Sequence, residues 1–266
     1  DWSSDVCSSD LGAWGKTSYL PEFMKKNGYT SILVEKDHCG YVDPTFWGFD
    51  PDYTCYECIA PPTKKIVQDA YLFPEQASKV GFDFAIKRVN ETLMAGNKAF
   101  VYIGTKLQHA QIHASPDAMA SVDCTQVPSD IPGTPRFDYP TPHQTQSALI
   151  RLFDKALANY MAFAEQVSPN SHVFIIVTDN GPESRNADDN GNESSDDRTG
   201  AYRGMKRSLL EGGHRVMAAI HGIGVKGNVA ELVTGLDIYP TIIDLTGAKD
   251  WMPTDRAQFR GLSWST

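Results

Sequence analysis

Apolar residues fall along this chain with two different periods. Between Ser147 and Val167, the positions Leu149, Leu152, Phe153, Ala156, Leu157, Tyr160, Met161 and Ala164 keep helical spacing, which predicts a helix laid against a core. A second helix is expected over Gly81 to Gly96, where Phe84, Val89 and Leu93 recur near the same period before a closing glycine. A third runs from Thr17 to Gly28, with a Ser/Thr start, Pro21 in the first turn and Gly28 as its stop. Short runs of β-branched, aromatic and small apolar residues mark four strands: Tyr29–Val34, Ala99–Gly104, Val173–Val177 and Val216–Gly222. The segment Leu236–Gly247 predicts a helix interrupted early by Pro240. Strands alternating with helices point to an α/β fold with a mostly parallel sheet sandwiched by helices.

Two stretches break the pattern. From Ala118 to Thr145 the chain is rich in Pro, Thr and Ser with little periodicity, a long loop of the kind that carries selectivity. From Pro182 to Gly200 it is acidic, with Glu183, Asp188, Asp189, Glu193, Asp196 and Asp197 against Arg185 and Arg198. Its spacing fits no EF-hand pattern and reads as a solvated loop.

Composition adjusts this picture in few places. At 266 residues and 41% hydrophobic the chain can bury one substantial core. A formal charge of -9 argues against a nucleic-acid partner. No apolar run is long enough to span a membrane. Cys55 and Cys58 form a single C-x-x-C, and with Cys124 and one distant His they make a thin case for zinc. A disulfide or two ordinary thiols is the simpler account.

The chemistry gathers at the end of the third strand, where VFIIV runs into Thr178, Asp179, Asn180 and Gly181. A run of that kind reads as a strand buried on both faces of a parallel sheet, and ligands collect at the carboxyl ends of such strands. A carboxylate and an amide oxygen there are hard donors that suit calcium or magnesium. The same triplet is also ordinary turn chemistry. Farther on, Arg203, Lys206 and Arg215 surround Glu211-Gly212-Gly213, so cations and a flexible bend follow a metal ligand. An anionic substrate held against a metal calls for that combination.

TDNG, then RGMK with EGGHR, then GLDIYPTIIDLTGA from Gly235 to Ala248 together resemble the sulfatase family of the alkaline-phosphatase superfamily. The segment Glu35–Gly40 (EKDHCG) is similar to that family's Gly-Lys-Trp-His-Leu-Gly: Lys36 and His38 match, while Glu35, Asp37 and Cys39 depart. WGFD, Trp47 to Asp50, also fits. The resemblance implies that Asp179 and Asn180 are calcium ligands and that Lys206 and His109 bind the substrate sulfate, with His113 a second histidine close by. It implies that Lys36 and His38 position a hydrated formylglycine nucleophile. By their own chemistry, Lys36-x-His38 could be a solvated loop and His109 a surface residue.

Sulfatases take that nucleophile from a C-x-P-x-R or S-x-P-x-R motif, and no Cys or Ser of this sequence sits in one. The family's Asp-Asn partner, an N-terminal Asp-Asp pair, is likewise missing. The opening DWSSDVCSSDL resembles a sequencing-library adapter translated in frame, so native sequence is expected to begin near Gly12. The expectation is therefore a partial catalytic domain over residues 12–266, incomplete at both ends and without the C-terminal subdomain. The intact protein would hydrolyse a sulfated carbohydrate or aryl sulfate, in the periplasm or outside the cell, whereas this chain would not turn over. Two alternatives share these residues: a phosphodiesterase or phosphonate hydrolase of the same superfamily, and a non-catalytic protein that binds sulfated glycans.

Overall fold

A computed structural model describes residues 19–35, 43–53, 74–105, 107, 114–120, 142–182, 202–222, 227–228, 230–247 and 261–264. The chain divides into two compact units, Ser3–Val167 and Ser168–Thr266.

In the first unit, helix α1 (Leu20–Lys26) leads into strand β1 (Tyr29–Glu35). Pro21 lies in the first turn as expected, but the N-cap is Tyr19, which makes no side-chain capping bond. Gly28, at φ 81°, ends the helix in the left-handed conformation that glycine adopts without a Cβ clash. β1 is buried from Ser31 to Glu35, and Ser31 Oγ donates to the Pro21 carbonyl at 2.8 Å, tying the strand to α1. A 3-10 turn, Pro44–Trp47, is capped by Asp43, whose Oδ1 accepts from the Thr45 N–H at 2.9 Å. It delivers Trp47 to a cluster with Leu33, Phe49 and Tyr53, so the WGFD segment packs on β1. Full burial of each such side chain is worth about 1.5–3 kcal/mol.

Helix α2 (Pro74–Met94) then crosses to strand β2 (Lys98–Gly104), which pairs in parallel with β1 from Tyr29↔Lys98 to Glu35↔Gly104. A parallel pair needs such a crossover, because a hairpin cannot return the chain in the same direction. α2 begins at Pro74, a full seven residues before the start expected at Gly81. α3 (Pro116–Ala120) and α4 (Pro142–Val167) follow. Both ends of the loop expected over Ala118–Thr145 are thus helical, and its middle lies outside the described residues. Phe82 of α2 meets Phe153 and Tyr160 of α4 with ring centroids 6.3 and 5.9 Å apart.

In the second unit, β3 (Val173–Val177) pairs with β4 (Ala218–Gly222). The pairing is antiparallel, Val173↔Gly222 to Val177↔Ala218. β3 is half-buried and its end exposed, so it is not the strand buried on both faces that the apolar run predicts; among the described strands the deepest burial is in β1, from Ser31 to Glu35. The neighbour of β3, β4, also runs antiparallel to it rather than in the parallel arrangement expected, because an apolar run carries no record of its neighbour's direction. A four-residue helix α5 (Glu211–His214) precedes β4. Helix α6 (Ile238–Thr246) follows a 3-10 turn, Gly235–Asp237. Pro240 does not interrupt it: the residue sits in the first turn, where its missing N–H has no helical acceptor to lose. No described helix is long and apolar enough to cross a membrane.

Candidate functional site

Of the residues singled out from sequence, Asp179, Asn180 and Lys206 are described, and all three belong to the second unit. Lys36, His38 and His109, with His113, lie outside the described residues, as do all five cysteines and the acidic loop after Pro182.

The TDNG turn is sewn to the later cationic segment by main-chain hydrogen bonds. Thr178 N–H donates to the Met217 carbonyl at 3.1 Å, and Thr178 Oγ1 accepts from Met217 N–H at 3.1 Å, carrying the β3–β4 ladder one step further. Gly181 N–H donates to Gly213 O at 2.8 Å, and Lys206 N–H donates to Pro182 O at 2.9 Å. Gly212 N–H bonds Arg203 O at 2.7 Å, and Gly213 N–H bonds Leu210 O at 2.8 Å. The backbone of Lys206 is therefore pinned two residues past Asn180.

The glycines here are matters of contact. A Cβ at Gly181 would fall on the Gly212 carbonyl oxygen, one at Gly212 on the Gly204 carbonyl, and one at Gly213 on the carbonyls of Ser208 and Met205. Gly212 and Gly213 are buried in a helical turn, so the flexible bend expected from sequence is a tightly packed crossing of two backbones.

Asp179 is exposed, and its Oδ1 accepts from Asn180 N–H at 3.0 Å, a local side-chain-to-backbone bond of the kind Asp makes outside regular structure. The pair still offers hard oxygen donors, and these suit calcium. Calcium takes six to eight oxygens, more than two residues can supply. Among the described residues no group of three or more His, Cys, Asp or Glu could hold a metal. Arg215, one of the cations around Glu211-Gly212-Gly213, stacks over the Tyr202 ring at 4.6 Å and pairs with Glu211 at 3.3 Å. Lys206 and the exposed Arg203 belong to the backbone network around the turn, through Lys206 N–H to Pro182 O and Gly212 N–H to Arg203 O.

Asp237 is a residue to which the sequence reading gave no role. It closes a capping box with Thr234 and also holds a segment far along the chain, accepting from Leu262 N–H at 2.7 Å. The spacing Thr234-x-x-Asp237 carried half of this signal. The contact with Leu262 is non-local and left no mark in the local sequence.

The family described as Sulfatase matches residues 8–248. Arylsulfatase G of Mus musculus is 23% identical over 292 residues, covering 89% of this chain and 50% of its own length. Among solved structures, Ps i-CgsB in complex with k-i-k-neocarrahexaose superposes with a TM-score of 0.65 at 19% identity, covering 92% of this chain and 56% of that one. A protein in the alkaline phosphatase superfamily from Vibrio parahaemolyticus superposes at 0.50 with 15% identity, over 87% of this chain and 48% of that one. The chain spans about half the length of the curated relatives it matches.

Proposed function

The chain belongs to the sulfatase family, and from that premise we propose that the protein it comes from is a sulfuric ester hydrolase acting on a sulfated carbohydrate or aryl sulfate. The observation that supports this most is the main-chain stitching that holds Lys206 beside the Asp179-Asn180 turn, through Lys206 N–H to Pro182 O at 2.9 Å and Gly181 N–H to Gly213 O at 2.8 Å. It ties the backbone that carries Lys206 to the backbone just past the hard oxygen donors, and a cation and hard donors on adjoining backbone are what a sulfate ester would use.

In this reading Asp179 and Asn180 contribute to a divalent metal site, calcium by the chemistry of the donors. The ion would supply positive charge against the sulfate oxygens. Lys206 donates its ammonium to a sulfate oxygen, and His109 either binds the ester or gives a proton to its leaving oxygen. Lys36 and His38 orient the formylglycine nucleophile on which the family relies. The 266 residues contain no motif that yields that group, so the expected result with 4-nitrophenyl sulfate is binding without turnover. A periplasmic or extracellular setting goes with the same reading.

The test is titration of this chain with 4-nitrophenyl sulfate, followed by NMR in calcium chloride and again in EDTA. Lys206→Ala is expected to weaken binding about tenfold, the loss of one charge-assisted hydrogen bond. Asp179→Ala is expected to abolish the difference between calcium and EDTA. Equal binding by wild type and both variants would sink the proposal. Tighter binding of 4-nitrophenyl phosphate than of the sulfate would favour the phosphodiesterase alternative.

A further inference from the structure

β1 ends on a residue whose backbone would be easier as glycine. Glu35 has φ 64°, a left-handed conformation that L side chains rarely adopt. It occupies the place of the first glycine in the segment that resembles Gly-Lys-Trp-His-Leu-Gly. Yet its side chain is turned inward and only 4% exposed. Oε2 accepts from Ser78 Oγ at 3.0 Å, and Ser78 itself is 1% exposed. Ser78 Oγ lies 3.0 Å from Thr105 Oγ1, which accepts from Leu107 N–H at 3.2 Å. The proton directions close without conflict: Leu107 N–H to Thr105, the Thr105 hydroxyl to Ser78, the Ser78 hydroxyl to the carboxylate. α2 leaves room for this side chain, because a Cβ at Gly81 would stand 2.6 Å from Glu35 Cγ and 2.7 Å from Oε1.

A strained backbone persists only when its surroundings over-determine it, and such strain gathers at functional sites. Here the side chain bridges the carboxyl ends of the two parallel strands. Lys36 follows Glu35 directly, and His109 comes four residues after Thr105. We propose that Glu35 is a positioning residue: through Ser78 and Thr105, its buried carboxylate locks together the two strand ends from which the Lys36–His38 and His109 segments depart. The importance of those segments rests on the sulfatase reading above.

The experiment uses the 266-residue chain with 13C-labelled histidine rings, its seven histidines assigned by single His→Gln variants. Glu35→Gly removes the clamp and keeps a residue that is at home at this φ. The His38 and His109 signals are expected to shift together and to titrate at altered pH, while those of His172, His214 and His221 hold still. Ser78→Ala should reproduce the effect, and it decides alone if Glu35→Gly fails to fold. Glu35→Gln, whose amide oxygen can still accept from Ser78, should restore the wild-type spectrum. Unmoved His38 and His109 signals in folded Glu35→Gly and Ser78→Ala proteins overturn the inference, because a purely structural clamp would lower stability alone. Adding 4-nitrophenyl sulfate to the wild type separates the two ideas. Signals that move on mutation but ignore the ester uphold positioning and count against the sulfatase reading; the reverse pattern upholds the reading and removes Glu35.

Discussion

Gly181→Ala is expected to cost the Ser168–Thr266 unit about 3 kcal/mol, the upper end of what overpacking does to a close-packed interior. The added methyl would fall on the Gly212 carbonyl oxygen and within 3.2 Å of Gly213 Cα. Those neighbours are backbone, so no side-chain rotation can make way for it. Relief would require parting the turn from α5, and with it the Gly181 N–H to Gly213 O hydrogen bond. Urea unfolding followed by a probe within this unit, and amide exchange at Gly181, measure the effect. Gly235→Ala is the control, since a Cβ there meets nothing within 4 Å; its change is expected to stay within about 0.5 kcal/mol. If the two variants unfold at the same urea concentration, the backbone crossing does not hold this unit together.

Asp237→Ala should have an effect of similar size by a different route. One carboxylate oxygen accepts from Thr234 N–H at 2.7 Å, the other from Leu262 N–H at 2.7 Å, and the residue is 9% exposed. Hydrogen bonds to a charged group contribute about 1.5–3 kcal/mol each and couple within a shared network, so a loss of about 3 kcal/mol is expected. The pH dependence is distinctive. Burial acts to raise the carboxyl pKa, but the N–H donors of Leu262 and Thr234 outweigh it, and the group titrates below its ordinary 3.8. A carboxyl with a depressed folded pKa contributes stability that is fully present above its unfolded pKa and is lost as pH falls through the folded value. The gap in unfolding midpoint between wild type and variant should therefore be constant above about pH 5 and close on acidification below about pH 4. A gap that persists unchanged to pH 2 would show that the charge is not what holds Leu262.

Helices and strands with a strong local period were legible from sequence: α4, β1, β2, β3 and β4 lie within a few residues of where the apolar pattern put them. Departures arose where distant segments decide. Gly81 looked like a helix start and is an interior position of α2, kept small by the Glu35 side chain from the end of β1. Gly212 and Gly213 looked like a flexible bend, and their size is instead dictated by the carbonyls of Gly204, Ser208 and Met205. Pro240 was given the weight of a helix breaker, although the capping box at Thr234 and Asp237 starts the helix close enough to make it harmless. The antiparallel partner of β3 could not be inferred from VFIIV, because a buried apolar run carries no record of its neighbour's direction. Asp179, Asn180 and Lys206 could be singled out as candidates because motif order is itself sequence. The burial of Glu35 could not be anticipated, since a glutamate after a strand reads locally as a solvated end.

The β1–α2–β2 crossover also shapes how this protein is made. Ile32, Leu33 and Val34 are fully buried in the finished fold, but their parallel partners, Val101, Tyr102 and Ile103, come after all of α2. At about 5–20 residues per second on the ribosome, β1 spends several seconds outside the exit tunnel without its ladder partner. In that interval α1 is the available cover, tied on through Ser31 and Pro21. The nascent chain is most exposed to aggregation and to chaperone capture then, and pausing before residue 98 lengthens the exposure while faster passage through α2 shortens it.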